Sequence, residues 1–307
     1  MKKLVNILIL IFSFVNPNAQ QSCLPKYDLP GKTIELSSGK MAYIEKGKGQ
    51  TILFIHGLGG NISHWQKLVE GLSGSFRCIA IDLPGYGRSQ WQINANGKDQ
   101  LQFYADAVAE FLQRKKINKV ILAGHSMGGQ IAIILALQNK RVKKLLLIAP
   151  AGLETFNEKE AQLLITSTPG SAFEKQDEVV IRNNFKINFY QQPADAERLI
   201  QERIQLKTCT DFKLYCETVS NGVKGMLAHP VKDSLKNLSM PVLIVFGAND
   251  GLIPNKYLHP AMKTADLANQ SASEIRNCKV EMIADAGHLV QFEKVAELKT
   301  VIKNFLK

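Results

Sequence analysis

The sequence is poor in what a metal centre or a disulfide scaffold needs. Its 307 residues include five cysteines and six histidines. The histidines are scattered, and none pairs with a cysteine at the short spacing of a zinc site, so no metal is expected. The cysteines, at 23, 78, 209, 216 and 278, lack the regular spacing of a small stapled domain, and no disulfide framework is expected. Cys78 lies inside an apolar run and Cys278 heads another, where a buried thiol is the simplest reading. Cys209 and Cys216 are close enough in sequence to suggest a bond in an oxidising compartment. On one helix, however, seven residues would hold them too far apart. Low-complexity stretches and repeats at solenoid periods are missing too.

Acidic residues are in deficit, leaving a formal net charge of +11. Much of the excess sits in two clusters, Arg114-Lys115-Lys116 with Lys119, and Lys140-Arg141 with Lys143-Lys144. Neither is interleaved with aromatics, which argues against a nucleic-acid partner. Each directly precedes a strand-like run. In a parallel sheet this puts both clusters at the edge opposite the one that binds ligands. They read as a solvated face, with an anionic membrane surface as the alternative contact.

Long hydrophobic runs are also lacking. Leu4 to Val15, with Asn6 inside, is too short to span a bilayer comfortably. Preceded by Met1-Lys2-Lys3 and followed by Asn16-Pro17-Asn18-Ala19, it reads as an export signal over residues 1–22. The mature chain would begin near Gln20 with a net charge of +9, since Lys2 and Lys3 are lost. Lipid attachment at Cys23 is the lesser alternative: Ser22 is suitably small, but Gln20 and Gln21 fit that pattern poorly.

What remains is long enough for one large domain or one domain with an insertion. Short apolar runs at 32–36, 41–45, 51–56, 76–81, 120–123, 145–148, 241–246 and 280–284 read as strands. Helical spacing appears at 65–72, 99–113, 130–137 and 295–305. Buried strands alternating with helices predict an α/β protein with a doubly wound, mostly parallel sheet. From 152 to 238 the strand runs stop, and apolar residues recur among charges at helical intervals. This segment reads as a helical cap inserted into a core formed by 24–151 and 239–307.

The chemistry centres on Gly124-His125-Ser126-Met127-Gly128-Gly129, which follows the strand at 120–123 and opens a helix apolar on nearly every side. A serine between glycines two positions away on each side, on a strand-to-helix turn, is the nucleophile-elbow pattern. Such a turn strains the serine backbone and lifts its hydroxyl clear, and side chains at the two glycines would collide with neighbouring backbone. Two further strands end in polar residues, Gly247-Ala248-Asn249-Asp250-Gly251 and Asp285-Ala286-Gly287-His288. Serine, acid and histidine therefore occur in the order Ser126, Asp250, His288, each at the carboxyl end of its own strand. Asp82 and Asp285 are rivals for the acid. Asp82 opens a Pro-Gly turn where an aspartate commonly caps backbone, and Asp285 shares the His288 loop. His56 and His125 read as hydrogen-bonded structural residues.

Together the motifs HGLGG at His56, DLPGYGRS at Asp82, GHSMGG at Gly124, GANDGLIP at Gly247 and GH at Gly287 resemble the α/β-hydrolase fold superfamily, in its capped serine esterase and lipase-like group. The resemblance implies Ser126 as nucleophile, His288 as general base and then acid, and Asp250 as the residue that orients His288. It also implies an oxyanion hole from the backbone N–H groups of Leu58 and Met127. The reaction implied is carboxylic ester hydrolysis through an acyl-enzyme, without cofactor, on a small molecule with an apolar acyl or alcohol group. Serine at the elbow argues against the related dehalogenases and epoxide hydrolases, which carry aspartate there. A C–C bond hydrolase of vinylogous diketones is the alternative within enzymes. That group commonly has asparagine at the position of His125 and tryptophan at that of Leu289. A hydrolase-like ligand receptor with little turnover is the alternative outside them. Oligomeric state is not legible in the sequence.

Overall fold

The computed structural model describes residues 23–94 and 99–307; the expected export signal lies outside the described residues. Among the described residues there are eight strands: β1 (Lys32–Leu36), β2 (Gly39–Lys46), β3 (Thr51–Ile55), β4 (Arg77–Ile81), β5 (Val120–His125), β6 (Val142–Ile148), β7 (Val242–Gly247) and β8 (Cys278–Ile283). They form one sheet in the order β1-β2-β4-β3-β5-β6-β7-β8. The first two strands run antiparallel at one edge. From β4 onward through the sheet every neighbouring pair is parallel.

The inner strands β3, β5 and β7 are buried along their whole length and almost entirely apolar, because both faces of the sheet are covered. Successive side chains alternate between two cores. Leu53 and Ile55, Leu122, Leu145 and Leu147, and Ile244 and Phe246 enter one core. Their neighbours Ile52 and Phe54, Ile121 and Ala123, Leu146 and Ile148, and Leu243 and Val245 enter the other. The first core is closed by α2 (Gln100–Arg114) and α3 (Met127–Gln138), through residues such as Phe111 and Ile131. The second is closed by α1 (Gln66–Leu72) and α11 (Val295–Leu306), through Leu68, Leu72, Leu298 and Ile302.

Between β6 and β7 the described chain is helical: α4 (Glu158–Ser167), α5 (Gly170–Glu174), α6 (Glu178–Lys186), α7 (Glu197–Gln205) and α8 (Phe212–Ala228), with short 3-10 turns on either side of α7 and after α8. Helices α9 (Thr264–Ser273) and α10 (Val290–Glu293) complete the set. From the cap, α8 places Tyr215, Cys216 and Val219 in the first core. Among the described residues no helix is long and apolar enough to cross a membrane.

The cysteine reading needs correcting. Cys23 and Cys209 form a disulfide across 186 residues, with their Cα atoms 5.5 Å apart. Sequence spacing could not reveal it, because folding alone brings the N-terminal segment beside the cap. With its sulfur in this bond, Cys23 has no thiol for the lipid attachment considered above. Cys78 and Cys216 are buried free thiols, whereas Cys278 is only half-buried on the edge strand β8.

The residues after Cys23 are tied down along their length. Tyr27 donates its hydroxyl to Asp82 Oδ2 at 2.6 Å, and Arg88 Nη1 donates to the Pro25 carbonyl at 3.0 Å. From α7, Arg198 Nη1 donates to both carboxylate oxygens of Asp28, at 2.8 and 2.6 Å. Asp28 in turn donates its backbone N–H to Gln66 Oε1 at 2.6 Å. Core and cap thus share this segment.

Candidate active site

Strand β5 stops at His125, and Ser126 turns the chain into α3 with φ 52° and ψ −121°. A non-glycine residue at positive φ is strained, at a cost of order 1–3 kcal/mol. The surroundings hold it there: Ser126 N–H donates to the Ile148 carbonyl at 3.1 Å, and the Ser126 carbonyl accepts from Gly129 and Ala151 at 2.9 and 3.0 Å. A Cβ at Gly124 would lie 2.2 Å from the Gly128 carbonyl oxygen, and one at Gly128 would lie 2.3 Å from that of Ile55. Both positions need glycine for the close approach that the elbow imposes. Ser126 is the N-cap residue of α3, yet its side chain makes no capping hydrogen bond. It is half-buried between the fully covered His125 and Met127. The helix places its positive end behind the serine.

His288 and Asp250 meet across the ends of β8 and β7. His288 Nδ1 lies 2.8 Å from Asp250 Oδ2, and both residues are buried. The other oxygen of Asp250 accepts from the N–H groups of Leu252 and Ile253 at 2.8 and 3.0 Å, so the carboxylate is fixed by three donors. The carbonyl of His288 lies 3.0 Å from His125 Nε2, and the two rings sit 4.7 Å apart. These contacts bring the His288 loop against the elbow.

The rival acids go elsewhere. Asp285 is exposed at a turn with φ 50°. Asp82 is wholly buried and accepts from the N–H groups of Ile62 and Arg88 at 2.9 and 2.8 Å, besides the Tyr27 hydroxyl. It fastens a turn to the core. His56 is equally committed: its Nδ1 lies 2.8 Å from the Gly57 carbonyl, while Nε2 accepts from Leu83 N–H at 3.0 Å. That pairing fixes one neutral tautomer, and burial pulls the ring down to about 4. His125 is held well below its ordinary range first by burial and then by neighbouring His288.

Leu58 follows β3 on the loop whose start, at Ile55 and His56, packs on Gly128. Together with Leu289 it lines a cavity of about 170 Å³ whose opposite wall is the cap, including Phe173, Ile181, Phe185 and Arg203. The expected oxyanion residue Leu58 and the neighbour of His288 therefore share one space with the cap, and Met127 lies buried directly after Ser126.

Several residues around this site escape sequence reasoning because their partners are distant in the chain. Glu293, on α10, accepts from Gly287 N–H at 2.7 Å and from Gln191 N–H at 2.7 Å. It joins the His288 loop to the cap. Glu202, on α7, is buried and accepts from Ser63 Oγ at 2.9 Å, docking the cap on the segment after the Leu58 loop. A charged residue within an amphipathic helix gives no signal of such a role.

Comparison with known proteins agrees with this architecture. The model of the alpha/beta hydrolase fold family matches residues 50–295. The dihydrolipoyllysine-residue acetyltransferase component of the acetoin cleaving system of Cupriavidus necator is 26% identical over 87% of this chain, which spans only 66% of that longer protein. Lipase 1 of Psychrobacter immobilis is 29% identical over 91% of this chain and 85% of its own length. Among solved structures, a probable hydrolytic enzyme from Pseudomonas aeruginosa PAO1 superposes with a TM-score of 0.82 at 23% identity, covering 92% of this chain and 96% of that one. The elbow between β5 and α3, the polar ends of β7 and β8, and the family match over most of the chain converge: this protein belongs to the alpha/beta hydrolase fold family.

Proposed function

We propose that this protein is a serine hydrolase of carboxylic esters that works through an acyl-enzyme on Ser126. The observation that carries the reading is a strained, uncapped serine at the start of α3, whose neighbour His125 packs against the histidine of a buried His288–Asp250 pair. With Nδ1–H donated to Asp250, His288 presents Nε2 as an acceptor and takes the Ser126 proton as Oγ attacks the ester carbonyl. The Asp250 carboxylate offsets the charge of the imidazolium that forms. The N–H groups of Leu58 and Met127 receive the oxyanion, helped by the positive end of α3. His288 then protonates the leaving alcohol, and water activated by the same histidine releases the acid.

The cavity wall of Phe173, Ile181, Phe185 and Leu289 favours an apolar acyl or alcohol group. The cap also leaves Leu163, Val179 and Ile187 exposed, which suits a substrate presented at a lipid surface. Export is part of the proposal: a structural disulfide such as Cys23–Cys209 persists in oxidising compartments. N-terminal sequencing of the mature protein should find a start near Gln20, and a retained Met1 would refute cleavage.

The test is a panel of acyl esters, monoacylglycerols and one vinylogous diketone, run with wild type and two variants. Ser126→Ala should lose about 10³-fold or more in ester turnover while melting normally, and Asp250→Asn roughly 10³- to 10⁴-fold. Ester turnover by Ser126→Ala comparable to wild type would overturn the nucleophile. Cleavage of the diketone alone would shift the activity to C–C hydrolysis.

A further inference from the structure

Resting on the ester hydrolase reading, we propose that Arg203 selects substrates that carry a carboxylate at the end remote from the scissile ester. The cap has three arginines, and two are matched to acids. Arg182 pairs with Glu178 and Glu197, and Arg198 pairs with Asp28 and Glu202. Arg203 has no ion pair among the described residues. Its Nη2 makes one long contact with Gln176 Oε1, at 3.4 Å, and its Nη1 is buried without a partner.

Such a group is costly to leave alone. A guanidinium stays charged at every relevant pH, and a buried donor without an acceptor forfeits its hydration. Packing holds it in place, since the guanidinium carbon lies 5.2 Å from the ring centroids of both Phe212 and Tyr215. These rings orient the fork without neutralising it.

The rest of the wall matches an anion. Gln176, Asn184 and Asn188 line the same cavity, and none of the residues lining it is acidic. Leu58, on the loop after β3, and Leu289, next in sequence to His288, line this cavity together with Phe173, Ile181 and Phe185. A ligand reaching from the elbow into the cavity would therefore meet both apolar side chains and a cation. One guanidinium balances one negative charge, whereas a phosphate monoester carries nearly two at neutral pH. Its planar fork also accepts a carboxylate with two parallel hydrogen bonds. The substrate class is thus a half-ester of a dicarboxylic acid, or an ester whose alcohol bears a carboxylate.

The experiment compares 4-nitrophenyl half-esters of dicarboxylic acids, from succinate to sebacate, with neutral 4-nitrophenyl esters of equal length. Wild type should prefer one or two half-ester lengths in kcat/KM. In Arg203→Gln the ratio of half-ester to neutral-ester kcat/KM should fall about tenfold or more, chiefly through KM. Arg203→Lys, which keeps the charge but loses the fork, should recover part of that ratio. Equal losses on both ester types in Arg203→Gln, or no half-ester preference in wild type, would overturn the proposal. A second readout stands apart from turnover: calorimetric binding of monomethyl glutarate and dimethyl glutarate to Ser126→Ala protein. The monoanion should bind more tightly, and the advantage should vanish when Arg203→Gln is added. Equal binding of the two compounds defeats the Arg203 assignment. Wild type that hydrolyses no ester, yet binds the monoanion through Arg203, would defeat the ester reading instead.

Discussion

Burial pushes the Asp82 carboxyl up to about 7, against the pull of the Tyr27 hydroxyl and the N–H groups of Arg88 and Ile62. Its folded value therefore lies above the unfolded value near 4. The stability it contributes is fully present below about pH 4 and declines as pH climbs through about 7. Asp82→Asn removes the titration and leaves one of the three donors poorly matched, at about 1–3 kcal/mol. The melting-temperature deficit of this variant should be largest near pH 4 and shrink toward pH 7, while ester turnover per folded molecule stays near wild type. A deficit that grows with pH would contradict the assignment. The turn aspartate was legible in the sequence, because Asp-Leu-Pro-Gly announces a cap. Its partner Tyr27 was not, since nothing in a chain marks which tyrosine will cross 55 residues to reach it.

At the scale of elements, the strands were read correctly because each buried one is a short apolar run. Helix α9 was missed, since only Leu267 and Ala268 carry its apolar face among small and polar residues. The contacts between elements were hidden altogether. Glu293 is the plainest example: its carboxylate collects N–H groups from Tyr190, Gln191 and Gly287, so α10 fixes the cap to the His288 loop. Glu293→Gln keeps the shape but replaces one acceptor with a donor. Hydrogen exchange at Gly287 and Gln191 should accelerate, and kcat/KM should fall about tenfold through looser placement of His288. Unchanged exchange at Gly287 in that variant would show that the clamp carries no force.

At the scale of the whole molecule, the placement of Ser126, Asp250 and His288 just beyond the ends of β5, β7 and β8 was readable, because strand ends are visible in sequence. The fastening of the N-terminal segment was not, because a bond between residues 23 and 209 exists only once the fold is made. In the chain-entropy account, a cross-link over so long a loop contributes roughly 2–5 kcal/mol. Cys209→Ser should therefore lower the melting temperature by several degrees, and the reductant sensitivity of wild-type melting should disappear in the variant. Wild-type melting that does not respond to reductant would remove the disulfide from the account of stability.

That bond also changes what a cut in the chain means. Everything from residue 24 to residue 208 lies inside a covalent ring, and the ring includes α4 to α7 of the cap, with Leu163 and Val179 turned to solvent. A protease that nicks these helices opens the ring but frees nothing. The nicked protein should run as one species on a gel without reductant and as two fragments with it. A cap severed in this way would stay tethered over the site, so loss of its integrity and loss of its presence become separable events.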